Sequence, residues 1–363
     1  MNSASEIPHR LPPALGVLLI NLGTPEAPEQ SAIRRYLREF LSDQRVVDMP
    51  PLLWQPLLHA VILPFRPRKL VHAYGSIWTP AGSPLMVTTR AIATAIEQRL
   101  REQLGGNVHV AVGMRYGQPS IAGAIDQLLS ANARRIVVMP LYPQYASSST
   151  ATAFDAVWNH LKTLRWVPEI HSIGSYHDDP GYIRALADSV RAWWAGNGRG
   201  DHLLMSFHGI PQRHVEAGDP YYCHCHKTAR LLAEALQLPD TGWTIAFQSR
   251  LGRIPWIRPY TDEVLPQLAR RGMKKLDTIC PGFSADCLET LEEVALRYRE
   301  AYTGHGGELR YIPALNDSIG NIDALTGLIV VSASQWLPAA VDEAALAVRG
   351  KRAAALLPLF GKA

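Results

Sequence analysis

The sequence predicts an α/β protein of two similar domains, each a parallel sheet flanked by helices, with the active-site cleft between them. Three observations support this fold class. Short apolar runs alternate with amphipathic helical patterns, as in parallel strands joined by helical crossovers. The alternation forms two series, one on each side of about residue 160. Finally, 363 residues with 47% hydrophobic content can bury two cores.

Each series consists of strands followed by helices. In the first series, strands are expected at 17–21, 108–114 and 135–140, and helices at 30–41, at 121–131 and from about 148. In the second series, strands are expected at 169–173, near 203, and at 243–247 and 275–280, and helices at 180–195, 226–235 and 262–271. Gly and Pro punctuate most strand ends, which is typical of strand-to-loop transitions.

The predicted domains are an N-terminal α/β domain over 12–160, a C-terminal α/β domain over 161–325, and a tail or helix over 326–363. One segment, residues 50–69, does not fit the alternation, and we call it the lip. It is rich in large apolar side chains, contains five prolines and ends in basic residues. Two interpretations are open: an apolar surface that meets a ligand or a membrane, or a connection buried against the first domain.

Composition excludes several classes of protein. The net charge of +4 is small, and the basic residues are scattered, which argues against a nucleic-acid partner. Four cysteines and no secretory leader favour a reducing compartment, so we expect a cytoplasmic protein. The apolar run 14–22 is too short to span a bilayer and predicts a first strand. The oligomeric state cannot be predicted from the pattern.

The candidate site is built around His208. This imidazole ends an apolar run, and Gly209 and Pro211 turn the chain away immediately afterwards, so the ring should face the carboxyl edge of a sheet, where α/β folds bind ligands. A histidine at a strand end is more often structural, and the chain break is what favours function. No closed metal cage is predicted, because the sequence lacks the spacings typical of zinc and calcium sites.

Three acidic residues are the natural counterpart of His208. Asp286, Glu289 and Glu293 have helical spacing and should line one face of a helix that begins after Phe283. Acidic residues in a first helical turn also complement the helix dipole, which would explain Asp286 and Glu289 without any chemistry. An imidazole opposite carboxylates could bind a divalent metal weakly or accept protons.

Other strand ends carry Tyr, Arg, Ser and Trp, which indicates a large flat apolar ligand with acidic substituents. These ends lie at 113–117, 139–150 and 247–260. Ser147–Thr150 could cap a helix and hold phosphate, but no Gly-rich phosphate loop accompanies it. Nucleotide binding is therefore disfavoured.

Taken together, the motifs resemble those of the ferrochelatase family, the bacterial protohaem ferro-lyases. They are spread in order over about residues 14 to 320, and the combination is specific. The matching segments are NLGTP (21–25), YG (74–75), SP (83–84), SFHGIP (206–211), GDPY (218–221), FQSR (247–250) and PGFSAD (281–286) with Glu289.

The resemblance implies a chelatase-like fold and a lyase that inserts Fe2+ into protoporphyrin IX in haem biosynthesis, with release of two protons. It also implies that His208 and Glu289 are the catalytic pair that meets the metal, whereas Asp286 and Glu293 form a path for protons or metal. Porphyrin-binding residues would be Leu22, Arg115, Tyr116 and Phe283. Whether His208 is a metal ligand or a proton acceptor stays open.

No resident cofactor is expected, since iron and porphyrin are substrates. Some members of the family carry a [2Fe–2S] cluster, so the candidate cluster ligands are Cys223, Cys225, Cys280 and Cys287. The tail contains no cysteine, which excludes C-terminal ligands, and the four residues could equally be buried thiols. Alternative functions are another tetrapyrrole chelatase, acting with coproporphyrin and iron or with cobalt or nickel, and a non-catalytic haem or metal carrier. Peripheral membrane contact is retained for the lip.

Overall fold

The computed structural model describes residues 14–252, 254–336 and 343–356. Within these ranges it contains two four-stranded parallel sheets, which confirms the predicted fold class. The first sheet contains β1 (Ala14–Asn21), β2 (Val108–Met114), β3 (Ala133–Pro140) and β4 (Glu169–Ser172). The second contains β5 (His202–His208), β6 (Trp243–Gln248), β7 (Lys275–Ile279) and β8 (Glu308–Tyr311).

Helices connect and cover these strands. In the first half they are Gln30–Leu41, Pro51–Leu57, Leu63–Ile77, Pro84–Leu104, Ile121–Ser130 and Thr152–Leu161, with π-helical segments at Leu58–Ile62 and Ser147–Ala151. In the second half they are Pro180–Asn197, Gln212–Glu216, Tyr221–Ala235, Thr261–Arg270, Arg299–Gly304, Ile319–Ala333 and Glu343–Leu356, with a π-helix at Glu289–Tyr298. Short 3-10 turns lie at Asp240–Gly242 and Ser334–Trp336.

The two sheets share one plan. Their strand orders are β2-β1-β3-β4 and β6-β5-β7-β8, so the first strand of each series is central and the last lies at an edge. All strands of a sheet run in parallel, which brings their carboxyl ends to one edge. His208, the last residue of β5, therefore lies at the edge where α/β sheets bind ligands.

Two strand predictions need correction. The strand 169–173 was expected in the second series, but β4 pairs with β3 and closes the first sheet. The boundary placed after residue 160 therefore precedes the last strand of the first sheet. β8 was not predicted, because a four-residue strand with two charged residues, Glu308 and Arg310, lacks an apolar run. Edge strands are solvated on one side and carry weaker patterns.

The two halves are joined by a common core. Side chains from β1, such as Leu19, belong to the same buried cluster as Met205 of β5 and Leu325 of helix Ile319–Ala333. That helix packs on Pro180–Asn197 and on Pro84–Leu104 of the first half. The predicted boundary between 325 and 326 falls inside it, so the first part of the tail belongs to the core. Residues 12–13, 337–342 and 357–363 lie outside the described residues.

The lip is helical and has two different faces. Leu58 and Leu63 of the lip, and Tyr74 just after it, are buried in one cluster with helix Gln30–Leu41, as the interpretation of a packed connection predicts. The opposite face exposes large apolar side chains, with Leu52 90% and Phe65 62% exposed, as the interpretation of an apolar surface predicts. Leu53, Leu57 and Val61 of the lip are also exposed, as is Met49 just before it. Among the described residues, no helix combines the length and apolar character needed to cross a membrane.

Candidate active site

His208 presents one ring nitrogen for chemistry. The residue is half-buried, and its Nδ1 lies 2.6 Å from the carbonyl oxygen of Gly209. Because a carbonyl oxygen can only accept, Nδ1 carries the hydrogen and donates it, which leaves the lone pair on Nε2. Within the described chain, Nε2 has no hydrogen-bond partner, and the Trp256 ring lies beside the imidazole with centroids 6.4 Å apart.

Gln248 connects His208 to the acidic helix. It ends β6 in register with His208 and is 1% exposed. Its Nε2 donates to the carbonyl oxygen of Glu289 at 2.8 Å and lies 3.5 Å from the carboxylate of Glu293. Its Oε1 accepts from Ser206 Oγ at 2.6 Å. One buried amide thus ties the strand edge that carries His208 to the backbone at Glu289.

The acidic helix differs from the prediction in its start and in its type. It is a π-helix over Glu289–Tyr298, so Asp286 precedes it instead of sharing its face. A π-helix bonds residue i to i+5; such helices are rare and are frequently found at functional sites. The hydroxyl of Thr290 accepts from the Cys287 N–H at 3.0 Å and donates to Asp286 at 2.8 Å, which places Asp286 at the beginning of the helix.

The carboxylate of Asp286 is buried and accepts hydrogen bonds from residues of its own half of the chain. Tyr311 donates to Oδ1 at 2.6 Å, and Asn316 donates to Oδ2 at 2.8 Å, in addition to the bond from Thr290. Burial and this carboxylate raise the pKa of Tyr311, which keeps that hydroxyl protonated as a donor. The prediction that Asp286 belongs to a proton or metal path would require these hydrogen bonds to be given up.

The carboxylate of Glu293 also accepts several hydrogen bonds. Ser249 donates to it from the backbone N–H, at 3.0 Å, and from the hydroxyl. Tyr298 donates at 3.0 Å, and a guanidinium nitrogen of Arg297 lies 3.5 Å away. Ser249 has a φ of 66°, in the left-handed region, and these two hydrogen bonds hold it there. Glu293 therefore fixes the turn after β6, and the predicted proton or metal path would require some of these hydrogen bonds to be given up.

Glu289 is the available acid of the three. In the described part of the chain, the Cys287 thiol is the only side chain that hydrogen-bonds the Glu289 carboxylate. Burial, followed by this carboxylate, raises the pKa of Cys287 and of Tyr74. Tyr36 lies close enough for the same charge to contribute, after burial and Tyr74, to its raised pKa. Since Tyr36 and Tyr74 belong to the first half, Glu289 faces across the boundary between the halves.

The predicted porphyrin-binding residues lie in different surroundings. Arg115 pairs with Asp43 and donates to Thr152, and it lines a cavity of about 670 Å3. Tyr116 is fully buried and donates to Asp43 at 2.9 Å, so its ring does not reach a surface that a ligand could contact. Leu22 and Phe283 are partly buried and pack against core clusters.

That cavity lies on the first half, away from His208. It is lined by Pro25, Glu26, Ala32, Arg35, Tyr36, Arg38, Glu39, Ser42, Asp43, His59, Arg115, Gly117 and Gln118. Neither His208 nor Glu289 borders it, but Tyr36, which lines it, interacts with the charge of Glu289.

Sequence reasoning missed Arg66 and the roles of Gln248 and Tyr74. Arg66 is half-buried in the lip, and no hydrogen-bond or ion-pair partner for it is present among the described residues. Burial lowers its pKa, and the nearby Tyr74 opposes that shift. A half-buried guanidinium without a partner is costly and indicates a site for an anion. The available signals were a single arginine inside an apolar lip and a glutamine closing an apolar strand.

The cysteines do not form a cluster site. Cys223 is exposed, whereas Cys225, Cys280 and Cys287 are buried, and none is in a disulfide. Burial is the main cause of the raised pKa of the three buried thiols. A [2Fe–2S] centre needs four ligands around one point. Over the described ranges, no three His, Cys, Asp or Glu side chains are placed to hold a metal ion, so these residues do not fit a cluster.

Comparison with known proteins identifies the family. The ferrochelatase family model matches residues 14–333. The ferrochelatases of Thioalkalivibrio sulfidiphilus and Nitrosococcus oceani are each 50% identical over 92% of this chain and 90% of their own length. That of Azoarcus sp. is 50% identical over 96% of both chains.

Among solved structures, SirB from Bacillus subtilis with Fe3+ aligns with a TM-score of 0.53 at 11% identity, covering 88% of this chain and 96% of SirB. The sirohydrochlorin chelatase SirB of Bacillus subtilis subspecies spizizenii, in complex with cobalt, aligns with a TM-score of 0.52 at 9% identity, covering 89% and 97%. At such identities the likeness concerns the fold alone. The sequence relatives and the matched family model show that this chain belongs to the ferrochelatase family.

Proposed function

We propose that this protein inserts Fe2+ into protoporphyrin IX, forming haem and releasing two protons. Membership of the ferrochelatase family supports this activity. The observation that carries it is the free Nε2 of His208 at the sheet edge, tied through Gln248 to the backbone of Glu289. The reaction balances without a redox step: two pyrrole N–H protons leave as one divalent cation enters.

In this proposal His208 accepts pyrrole protons through Nε2. The bond from Nδ1 to Gly209 fixes the neutral tautomer whose lone pair is on Nε2. An imidazole with a free ring nitrogen can take a proton and return it to water within one turnover, as general bases in active sites do. Trp256, next to the ring, limits the directions from which a ligand can approach.

Glu289 serves as the partner of His208. Its carboxylate is not saturated by donors, so it can attract Fe2+ or take the second proton. Tyr36 and Tyr74 surround it with hydroxyls whose raised pKa keeps them neutral. A single negative charge in such surroundings attracts a divalent cation more strongly than it would in water.

Arg66 and Arg115 are proposed to receive the carboxylates of the porphyrin. Arg66 has no partner in the described structure and therefore gains most from an anion. Arg115 is already paired with Asp43, so its contribution is a fixed guanidinium at the edge of the cavity. Leu22 and Phe283 supply apolar contact for the macrocycle in this proposal.

The test is an anaerobic assay with excess porphyrin and Fe2+, comparing the protein with His208→Ala and with the control His305→Ala, whose side chain is exposed. We expect many equivalents of haem per chain for the protein and the control, and none for His208→Ala. Porphyrin binding, measured by fluorescence, should be largely unchanged in both variants. Near-normal turnover of His208→Ala would remove His208 from the mechanism.

The same assay separates the alternatives. Coproporphyrin in place of protoporphyrin, or cobalt or nickel in place of iron, would give faster turnover if another tetrapyrrole chelatase were present. A carrier would stop at one equivalent of bound product per chain. Either outcome would overturn the proposed substrate or the proposed catalysis.

We also propose a cytoplasmic enzyme whose lip contacts the membrane surface peripherally. The four unpaired cysteines fit a reducing compartment. The exposed apolar face of the lip, with arginines beside it, is typical of an interfacial helix. Sedimentation with lipid vesicles should capture the protein but not a Leu52→Glu, Leu53→Glu variant. Equal capture of both would contradict the membrane contact and leave the enzymatic proposal untouched.

A further inference from the structure

We propose that Gln248 is a positioning residue for iron insertion, which sets the separation between His208 and Glu289. This inference rests on the proposed function, because it assumes that those two side chains act together. Gln248 does not touch the substrate in this proposal. It acts by holding two elements, the carboxyl end of β5 and the π-helix Glu289–Tyr298, in one arrangement.

The first connection is to the strand that carries His208. Gln248 and His208 are paired residues of adjacent parallel strands. The carbonyl oxygen of Gln248 accepts from the N–H of Gly209 at 2.8 Å, immediately after His208. Its side-chain Oε1 accepts from Ser206 Oγ at 2.6 Å, two residues before His208. Backbone and side chain of Gln248 thus hold the end of β5 on both sides of the imidazole.

The second connection is to the π-helix. Gln248 Nε2 donates to the carbonyl oxygen of Glu289 at 2.8 Å and lies 3.5 Å from Glu293 Oε2. Glu289 is the first residue of the π-helical segment, so this bond holds the amino-terminal end of that segment against β6. A hydrogen bond to that carbonyl also fixes the backbone from which the Glu289 carboxylate projects.

The orientation of the amide is determined by its neighbours. Carbonyl and carboxylate oxygens accept only, so the NH2 group must face Glu289 and Glu293. Ser206 Oγ and Cys280 Sγ, at 3.7 Å, face the amide oxygen as donors. Only a side chain of this length that carries both a donor and an acceptor can bond the acceptors of the π-helix and the donors Ser206 and Cys280 together. Methionine fills a similar volume but bonds neither these acceptors nor these donors. Glutamate would place a second negative charge next to Glu293.

Gln144 provides a matched control. It is also a buried glutamine, 2% exposed, and its Nε2 donates to Thr228 Oγ1 at 3.0 Å and to the carbonyl of Pro281 at 3.4 Å. Neither of these hydrogen bonds reaches the end of β5 or the π-helix. Loss of a buried amide network should therefore cost stability in both Gln144→Met and Gln248→Met, whereas only the second should disturb the spacing of His208 and Glu289.

The experiment measures kcat, the KM for Fe2+, porphyrin affinity and thermal stability for both methionine variants. For Gln248→Met we expect kcat to fall by on the order of tenfold to a hundredfold, the size of effect that a displacement of about 1 Å produces. The KM for Fe2+ should rise, and porphyrin affinity should stay within about twofold. For Gln144→Met, kcat should stay within about twofold at a similar loss of stability.

Gln248→Glu is the second variant, in case the methionine variant does not fold. It keeps the shape and the acceptor for Ser206 but repels Glu293, so the same fall in kcat is expected. Equal kcat values for folded Gln248 and Gln144 variants would overturn the positioning role. If the unaltered protein formed no more than one equivalent of haem per chain, the proposed function itself would have failed, so the two failures are distinguishable.

Discussion

Replacing Asp43 by alanine tests whether a buried network holds Arg115 at the cavity. Asp43 follows helix Gln30–Leu41 and accepts from Arg115, from the hydroxyl of Thr152 and, at 2.9 Å, from Tyr116. Burial alone would raise its pKa, but the hydrogen bonds from Thr152 and the Arg45 backbone, with the charge of Arg115, lower it overall. The ionised form is therefore favoured, and its stabilisation is lost only as the pH falls below the ordinary value of 3.8.

The expected magnitude follows from the burial of the pair. The side chains of Arg115 and Asp43 are only 19% and 10% exposed, so most of each is removed from water. Removing one partner of a buried pair costs about 3–5 kcal/mol, and partial exposure places this one at about 3 kcal/mol. Asp155→Ala is the control, because its pair with Arg45 is 44% and 41% exposed. Exposed pairs contribute about 0–1 kcal/mol.

The assay is denaturant unfolding at pH 7 for the protein and both variants, together with porphyrin affinity. Asp43→Ala should lower the free energy of unfolding by about 3 kcal/mol and weaken porphyrin binding, because Arg115 loses the carboxylate that orients it. Asp155→Ala should change both quantities little. Equal losses of unfolding free energy in the two variants would show that burial does not set the strength of the Asp43 network. Unchanged porphyrin affinity in Asp43→Ala would show that Arg115 does not contact the porphyrin.

Two further predictions concern titratable groups. His177 stacks on His224 at 3.6 Å, and burial, then His224, lowers its pKa to about 4. Because the unfolded chain takes up this proton at higher pH, the free energy of unfolding should fall as the pH drops from 6.5 towards 4, and His177→Gln should reduce that slope in melting curves. A thiol reagent should modify one cysteine rapidly, Cys223, and all four after unfolding; fast reaction of more than one in the native protein would contradict the burial of the others.

Much of the fold follows from local pattern. The bounds of β2, Val108–Met114, and of helix Gln30–Leu41 agree with the prediction to the residue, because apolar alternation and turn residues mark them locally. The sheet to which β4 belongs could not be derived in this way. A strand that follows a helical crossover can join either neighbouring sheet, and only its tertiary pairing with β3 decides between them.

The site shows the same division between local and tertiary information. The position of His208 at a sheet edge follows from Gly209 and Pro211, which end the strand locally. The start and the π-helical type of the acidic helix Glu289–Tyr298 do not follow from the spacing of its acidic residues. Several donors to these carboxylates are distant in sequence, namely Tyr311 and Asn316 for Asp286 and Ser249 for Glu293. No periodicity argument could place them.

These hydrogen bonds make the three acids unequal, and this inequality bears on how protons leave the site. A carboxylate that already accepts three or more hydrogen bonds must give up some of these contacts before it can bind a proton or a cation. Asp286 and Glu293 are in this condition, so a relay running along the helix through all three acids would have to dismantle the helix start and the turn after β6. A route that uses His208 and Glu289 alone leaves both structures intact. We therefore propose a short transfer of protons to solvent at the sheet edge, in which Asp286 and Glu293 have a structural role; their predicted place in a proton or metal path stays a prediction.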